Sequence, residues 1–476
     1  MACFGFFPKK SSLVSRMRMG DASDVFSPSA MSFIPKNVNH LHRLASTAAT
    51  GSHKVVVIGA GAAGLSAANQ IYNAFKAQGR TLADGDVAIV DANKSHDYQP
   101  GWTIVGSGLA NKEDYRKPVD SLIPKHLAHI PQNAAGFEPG SNQVVLADGS
   151  KVTYDFLVVA AGLQINWDNI KGLSSALTDP LKNKVSSIYS YETVDKTWDL
   201  IRAHKGKEDG ESIFTQPFGV IKCAGAPQKI AYMSDSYWKS NGISPRSTFI
   251  TGMPTMFAQP EYSVALNAIR EKKGIDAIFN TNLVEVRPET KSAVFEVVAG
   301  EDKGKKVEKE YGLLHAVPPM GPLNFIKTSP LADAAGWVDV SKDTLQHNKY
   351  PNVFSLGDSS SLPTSKTAAA ITGQTPVLTH NLVTLMETGK VGDAVYDGYT
   401  SCPLFTGRGE LLLAEFKYGA QRKETFGQFV DQRIPNRAFY HLTKDIMPRA
   451  YFSKMLKGEW YGPRMFFPPT YLPQSS

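Results

Sequence analysis

The chain has 476 residues, is 42% apolar and 20% charged, and carries a formal net charge of +7. This is the composition of a globular protein with a large core and two or three domains, and it has no run of 18 apolar residues to cross a bilayer as a helix. Residues 1–50 hold six basic groups and two acids, so +4 sits there and only +3 over residues 51–476, which argues against a nucleic-acid partner.

In chain order, the first feature is an Arg-bearing, Ser-rich, acid-poor leader. Residues 1–53 read as a mitochondrial transit peptide and linker, with LHRLASTAAT as the processing region and the fold beginning near Lys54; a disordered tail is the plainer reading. Next, Val55 to Ile58 form an apolar strand, Gly59-Ala60-Gly61-Ala62-Ala63-Gly64 is GxGxxG, and a helical period begins at Leu65. The first glycine makes the tight turn, the second admits a pyrophosphate to the backbone, and the third packs helix on strand. The helix N-terminus offers free N–H groups and a positive dipole end to the phosphates. A second strand, DVAIVDANKS, ends in Asp91, a carboxylate placed to bind a ribose.

Two later segments choose between NAD and FAD. YDFLVVAAGLQ (154–164) is a strand running into Ala161-Gly162, and YPNVFSLGDSS (350–360) is a strand ending in Gly357-Asp358. Both resemble secondary motifs of the FAD-dependent pyridine-nucleotide-disulfide reductases, a resemblance that implies Asp358 on the ribityl–pyrophosphate region. Asp358 also reads as an N-cap for the helix near Ser365. That helix, after Thr364-Ser365-Lys366-Thr367, points its positive end at a flavin.

Between these segments a second nucleotide turn is due, but the stretch there is VIKCAGAPQK (220–229), with Gly225, Pro227 and no GxGxxG. NADH therefore lacks a phosphate cradle, and Cys223 stands in its place, near a helix N-terminus that makes a thiolate more acidic. The other cysteines are Cys3 and Cys402; with no CxxC, HExxH or Cys/His cluster, a zinc site is not expected. His96 reads as a structural histidine, and Tyr98, Gln99 and Trp102 of the same loop as candidates to line flavin or quinone.

KCAGAPQK, HDYQPGWTIVGSG (96–108), DSSSLPTSKTAAAITGQ (358–374) and YDGYTSCPLFTGRGELLLAEF (396–416) closely resemble the mitochondrial branch of the sulfide:quinone oxidoreductases, from about Lys54 to Trp460. The resemblance implies a redox pair, Cys223 and Cys402, bridged at rest as a disulfide or trisulfide. It implies that hydrosulfide attacks Cys402, that Cys223 donates to noncovalent FAD, and that ubiquinone takes the electrons. A small acceptor, glutathione or sulfite, takes the persulfide sulfur. Lys229 reads either as holding thiolate charge or as a solvated helix lysine. The implied flavin contacts are Gly59, Gly61, Ala62, Ala63, Gly64, Asp91, Gln99, Ala161, Gly162, Asp358, Lys366 and Thr367. A homodimer is left open.

The C-terminus supplies the expected membrane contact. Phe439, Leu442 and Ile446 recur at helical spacing, Pro448 breaks the run, and Phe452, Met455 and Leu456 follow. Basic groups and Trp460, Phe466 and Phe467 lie nearby, the pattern of interfacial helices, and anionic lipid would add attraction; the inner membrane, matrix side, is what the resemblance implies. Helices packed on the core are the alternative. The fold expected is α/β with two Rossmann-like domains of glutathione-reductase type and a C-terminal membrane-contacting segment. The FAD domain is 54–165 with 312–390, the second domain 166–311, and the C-terminal region 391–476. Rival functions are a type-II NADH:quinone oxidoreductase, a soluble disulfide reductase and a non-turnover flavin-binding sulfide sensor.

Overall fold

The computed structural model describes residues 51–472. The processing region and nearly all of the expected leader lie outside them. β1 (Ser52–Ile58) begins before Lys54, because Ser52 and His53 already pair with Thr153 and Tyr154. It feeds α1 (Ala62–Ala77), then β2 (Val87–Val90), β3 (Ala128–Ile130) and β4 (Lys151–Val159). The order β3-β2-β1-β4 is parallel, with Val57 opposite Ile89 on one side and Val158 on the other. Val55, Val56 and Val57 are fully buried, which explains an unbroken apolar run instead of an alternating one.

The second layer begins with β5 (Ser212–Gln216) and α2 (Ala226–Ser240), followed by β6 (Ser247–Thr251), β7 (Asp276–Ile278) and β8 (Leu313–His315). With Val185–Ser186 these form a five-stranded parallel sheet of order Val185–Ser186, β8, β5, β6, β7. The sheet thus takes in residues beyond 311, the limit expected for the second domain, because Leu313 and Leu314 pair with β5. A short antiparallel ribbon, Gln164–Ile165 with Met320–Gly321, spans the two crossings between the sheets. The chain then returns to the first sheet, where β9 (Val353–Ser355) pairs with the C-terminal half of β4. That sheet reaches seven strands through a hairpin, Ala134–Glu138 and Gln143–Leu146, on the other half. α3 (Ala368–Thr388) follows, then the antiparallel pair β10 (Thr400–Gly407) and β11 (Glu410–Lys417).

At the C-terminus, Arg437–His441 and Met447–Ser453 are α-helical, and Leu442–Ile446 between them is a π-turn. Pro448 lies in the first turn of the second helix; its missing N–H interrupts the i→i−4 ladder there. The two apolar sets expected to face lipid turn mostly inward. Phe439, Met455 and Leu456 are buried, Leu442 and Phe452 are partly buried, and only Ile446 is exposed, at 54%. The outward apolar side chains come largely from loops instead: Phe429 at 83%, Ile434 at 61% and Phe467 at 74% exposure. Among the described residues no helix is long and apolar enough to cross a membrane.

Candidate active site

The first strand–turn–helix is built around space. Gly59 has φ +101°, and a Cβ on it would lie 2.7 Å from the Ala160 carbonyl oxygen. A Cβ on Gly64 would lie 1.8 Å from the Gly59 oxygen, so helix and turn touch backbone to backbone. At Gly61 and Gly162, by contrast, a Cβ would meet nothing within 4 Å. The two tight glycines shape the turn, and the two open ones leave a cradle at the ends of β1 and β4. Ala62 and Ala63 open α1, and Gly357 (φ +70°) comes so near that its Cβ would lie 2.9 Å from that of Ala63. Ala161 lies beside Gly59, where a Cβ would be 3.1 Å from the Ala161 Cα.

Asp358 follows Gly357, and its carboxylate accepts no hydrogen bond from the described residues. Burial pushes its pKa up, against the opposing pull of Lys366 and then Lys222. It does not cap α3: Thr367 does, its hydroxyl accepting from the Ala370 N–H at 3.0 Å while also meeting the Thr400 hydroxyl at 2.9 Å. Asp358 is thereby free for a ligand. The Lys366 ammonium is engaged, donating to the carbonyls of Asp358 (2.7 Å) and Ser360 (3.0 Å) and sitting 3.9 Å from the centre of the Trp337 ring. Burial brings its pKa down to about 8. Lys366 and Thr367 thus brace the loop and the helix end, and both line the pocket beside Asp358. Asp91 is likewise a brace: its Oδ2 accepts from the Ala60 N–H at 2.6 Å and its Oδ1 from both Asn93 nitrogens.

The second turn, from β5 to α2, is closed where the first is open. Cys223 has φ +53°, a left-handed conformation unusual outside glycine. Its N–H donates to the Lys366 carbonyl at 2.8 Å, and the Tyr189 hydroxyl donates to the Lys222 carbonyl at 3.2 Å. The cysteine turn is thus tied to the loop that carries Asp358. Pro227 occupies the first turn of α2, as expected from its missing N–H. A Cβ on Gly225 would lie 2.5 Å from the Cys402 sulfur and 2.6 Å from Leu404. Only glycine lets β10 bring Cys402 this close.

The two sulfurs are 3.9 Å apart, in contact as thiols. The Lys229 ammonium donates to the Cys223 sulfur at 3.3 Å and is buried, so it is not a solvated helix lysine. The hydrogen bond from Cys402 and, after it, the Lys229 charge hold the Cys223 thiol down to about 5, against the cost of burial. Cys402 moves the opposite way, raised by its bond to Cys223 and by burial. Burial alone would lower Lys229, but the charge of the two sulfurs outweighs it and keeps its pKa up.

Of the neighbouring loop, Gln99 is exposed and accepts from the Lys222 ammonium at 2.6 Å. Tyr98 and Trp102 are buried in packing, Tyr98 against Tyr115 and Tyr451 and Trp102 against Tyr191. His96 is structural, bonded to the Ala60 carbonyl and the Tyr451 hydroxyl. Gly225 and Tyr189 were not visible as site residues in the sequence. Gly225 needs its partner β10, which lies far along the chain, and Tyr189 carries no motif. A separate cavity of about 490 Å³ lies between α3, Tyr396 to Tyr399 and the tail from Tyr461 to Tyr471.

The family described as pyridine nucleotide-disulphide oxidoreductase matches residues 53–205. The chain is 44% identical to a mitochondrial sulfide:quinone oxidoreductase of Schizosaccharomyces pombe, over 91% of this chain and 96% of that one. It is 39% identical to the mitochondrial sulfide:quinone oxidoreductase of Mus musculus, over 89% and 90%. The solved sulfide:quinone oxidoreductase of Aquifex aeolicus shares the fold, with a TM-score of 0.69 and 19% identity over 85% of this chain and 92% of that one.

Proposed function

The chain belongs to the sulfide:quinone oxidoreductase family, and we propose that it oxidises hydrogen sulfide at a Cys223–Cys402 pair. The electrons pass to a quinone and the sulfur to a small acceptor. The observation that carries the reading is the meeting of two distant cysteines at 3.9 Å, on the turn where a second dinucleotide would otherwise sit. The family binds FAD, and the residues present fit it: open glycines at 61 and 162 and a free carboxylate at Asp358. When bound there, FAD supplies a two-electron acceptor that a quinone can reoxidise.

The cysteine steps follow from the environment of each sulfur. Thiol–disulfide exchange runs fastest when the leaving sulfur is the more acidic. Cys223, whose sulfur lies 3.3 Å from the Lys229 ammonium, is that leaving group, so hydrosulfide attacks Cys402. The S–S bond breaks, a persulfide forms on Cys402, and Cys223 departs as a thiolate paired with Lys229. A nucleophilic acceptor then takes the outer sulfur and leaves Cys402 as a thiolate. Loss of two electrons from the two thiolates restores the bond. With glutathione as acceptor, hydrogen sulfide, glutathione and quinone give glutathione persulfide and quinol. With sulfite as acceptor, hydrogen sulfide, sulfite and quinone give thiosulfate and quinol.

The relatives are mitochondrial by name, and we place this chain in the mitochondrion, peripheral to the inner membrane on its matrix side. Exposed Phe429, Ile434, Ile446 and Phe467, with exposed Arg449, Lys454 and Lys457, support a lipid-facing surface. The tyrosine-lined cavity supports a quinone headgroup site. Gln374 bonds the Gly357 N–H on one side and the Tyr396 hydroxyl on the other, so it joins that cavity to the cofactor cradle.

An anaerobic absorbance titration tests the function. Sulfide bleaches the flavin band and NADH does not; bleaching by NADH alone would replace this reading with a type-II NADH:quinone oxidoreductase.

A further inference from the structure

The C-terminal segment from Met447 to Gly458 lies on α1, the helix that follows the cofactor turn, and reaches the turn itself through His96. On one side α1 carries Ser66, Asn69, Gln70 and Asn73 at helical spacing. Their side chains donate to the carbonyls of Met455 (2.8 Å), Leu456 (2.9 Å), Gly458 (2.9 Å) and Lys457 (2.9 Å), in that order. Those of Leu456, Lys457 and Gly458 are carbonyls that a chain leaving a helix would otherwise leave unpaired, while that of Met455 also accepts from the Gly458 N–H at 3.0 Å. Gly458 has φ +72°, and a Cβ there would lie 2.5 Å from the Gln70 nitrogen, so the segment lies directly on the backbone of α1.

On the other side the Tyr451 hydroxyl lies 2.7 Å from His96 Nε2, and His96 Nδ1 lies 2.9 Å from the Ala60 carbonyl. A carbonyl only accepts, so Nδ1 carries the proton and Nε2 accepts from Tyr451 in the neutral ring. Burial lowers the His96 pKa and favours that neutral form. Ala60 stands between the first two glycines of the turn, and its N–H is already held by Asp91 at 2.6 Å. Both polar groups of this one residue are therefore fixed from outside the turn, one of them through the C-terminal segment.

We infer that His96 and Tyr451 are positioning residues for the cofactor, holding Ala60 in the orientation the FAD diphosphate meets, and that FAD binding is coupled to the seating of residues 447–458. The inference rests on the FAD assignment above. Coupling of this kind is reciprocal: whatever tightens the segment tightens FAD by the same factor, and the reverse. The segment follows exposed Ile446 and carries exposed Arg449, Lys454 and Lys457, so events at that surface reach the cofactor through it.

The test uses the full chain purified with FAD. Flavin fluorescence on dilution gives the FAD dissociation constant for wild type, Tyr451→Phe, His96→Asn and the double variant. Tyr451→Phe keeps the ring and removes one hydrogen bond, so FAD affinity falls roughly fivefold. The double variant falls by less than the product of the two single effects. Hydrogen exchange on the wild type gives a readout that needs no variant: FAD slows exchange across residues 447–458, and Tyr451→Phe shrinks that slowing. Unchanged FAD affinity in Tyr451→Phe and His96→Asn, or exchange in 447–458 indifferent to FAD, overturns the inference. A wild-type chain that holds no FAD at all overturns the cofactor assignment instead.

Discussion

The two strand–turn–helix units of this chain are the same local structure put to opposite uses. At the first, Gly59 and Gly64 have no room for a Cβ and Gly61 faces open space. At the second, the corresponding space is filled by protein: Gly225 is packed against the Cys402 sulfur and Leu404, and Cys223 takes the left-handed conformation a glycine would hold. One turn keeps a void for a ligand that accepts electrons. The other has closed that void with a thiol pair that, in the proposed reaction, supplies them. A parallel sheet with a helix after each strand offers a ligand site at every such turn; side-chain volume decides which sites stay open.

The comparison breaks most sharply at the sulfurs. Cys223→Ser or Cys402→Ser stops sulfide-driven bleaching of the flavin, by on the order of a thousandfold in rate or more, as removing one member of a concerted group does. Bound FAD stays, since neither cysteine lies in the open turn; stopped-flow absorbance under anaerobic conditions reads both. Next come the two glycines. At Gly61 a Cβ meets no protein atom within 4 Å, so Gly61→Ala leaves the fold intact, yet it occupies the cradle and weakens FAD binding by about tenfold. Gly225→Ala does the reverse: it costs about 1–3 kcal/mol of stability through overpacking against Cys402, and FAD remains bound. Urea unfolding and flavin retention on the two variants make the contrast measurable, and equal FAD loss in both would remove it.

A smaller effect sharpens the second turn alone. In the reduced protein the Cys223 thiolate persists above about pH 5, so its alkylation rate is flat at neutral pH and falls as the pH drops through that value. Lys229→Met removes a cation 3.3 Å away, so the thiolate is lost at higher pH and the midpoint moves up by about 1 to 3 pH units. Mass-resolved iodoacetamide labelling across pH follows it. Least in size, Phe467→Ser removes an exposed aromatic and weakens sedimentation with anionic vesicles by about tenfold; unchanged sedimentation would move the lipid contact elsewhere.

The sequence by itself determined the elements whose cause is local. Four successive apolar residues before GxGxxG could only be a buried parallel strand, and the glycines followed from what a tight turn and a close helix require. Pro227 and Pro448 marked a helix start and a helix interruption, because a missing N–H acts within one turn. Tertiary structure decided whatever depended on a distant partner. The inward turn of Phe439, Met455 and Leu456 was hidden because apolar spacing shows that a face exists and not what covers it. The polar row Ser66, Asn69, Gln70 and Asn73 carries no motif, and only the fold brings the C-terminal carbonyls to it. Asp358 read as a ligand group by resemblance and also as a cap, until Thr367 took the cap. Cys223 and Cys402 were paired only by resemblance until β10 crossed the start of α2, for spacing along a chain carries no distance once the chain has folded.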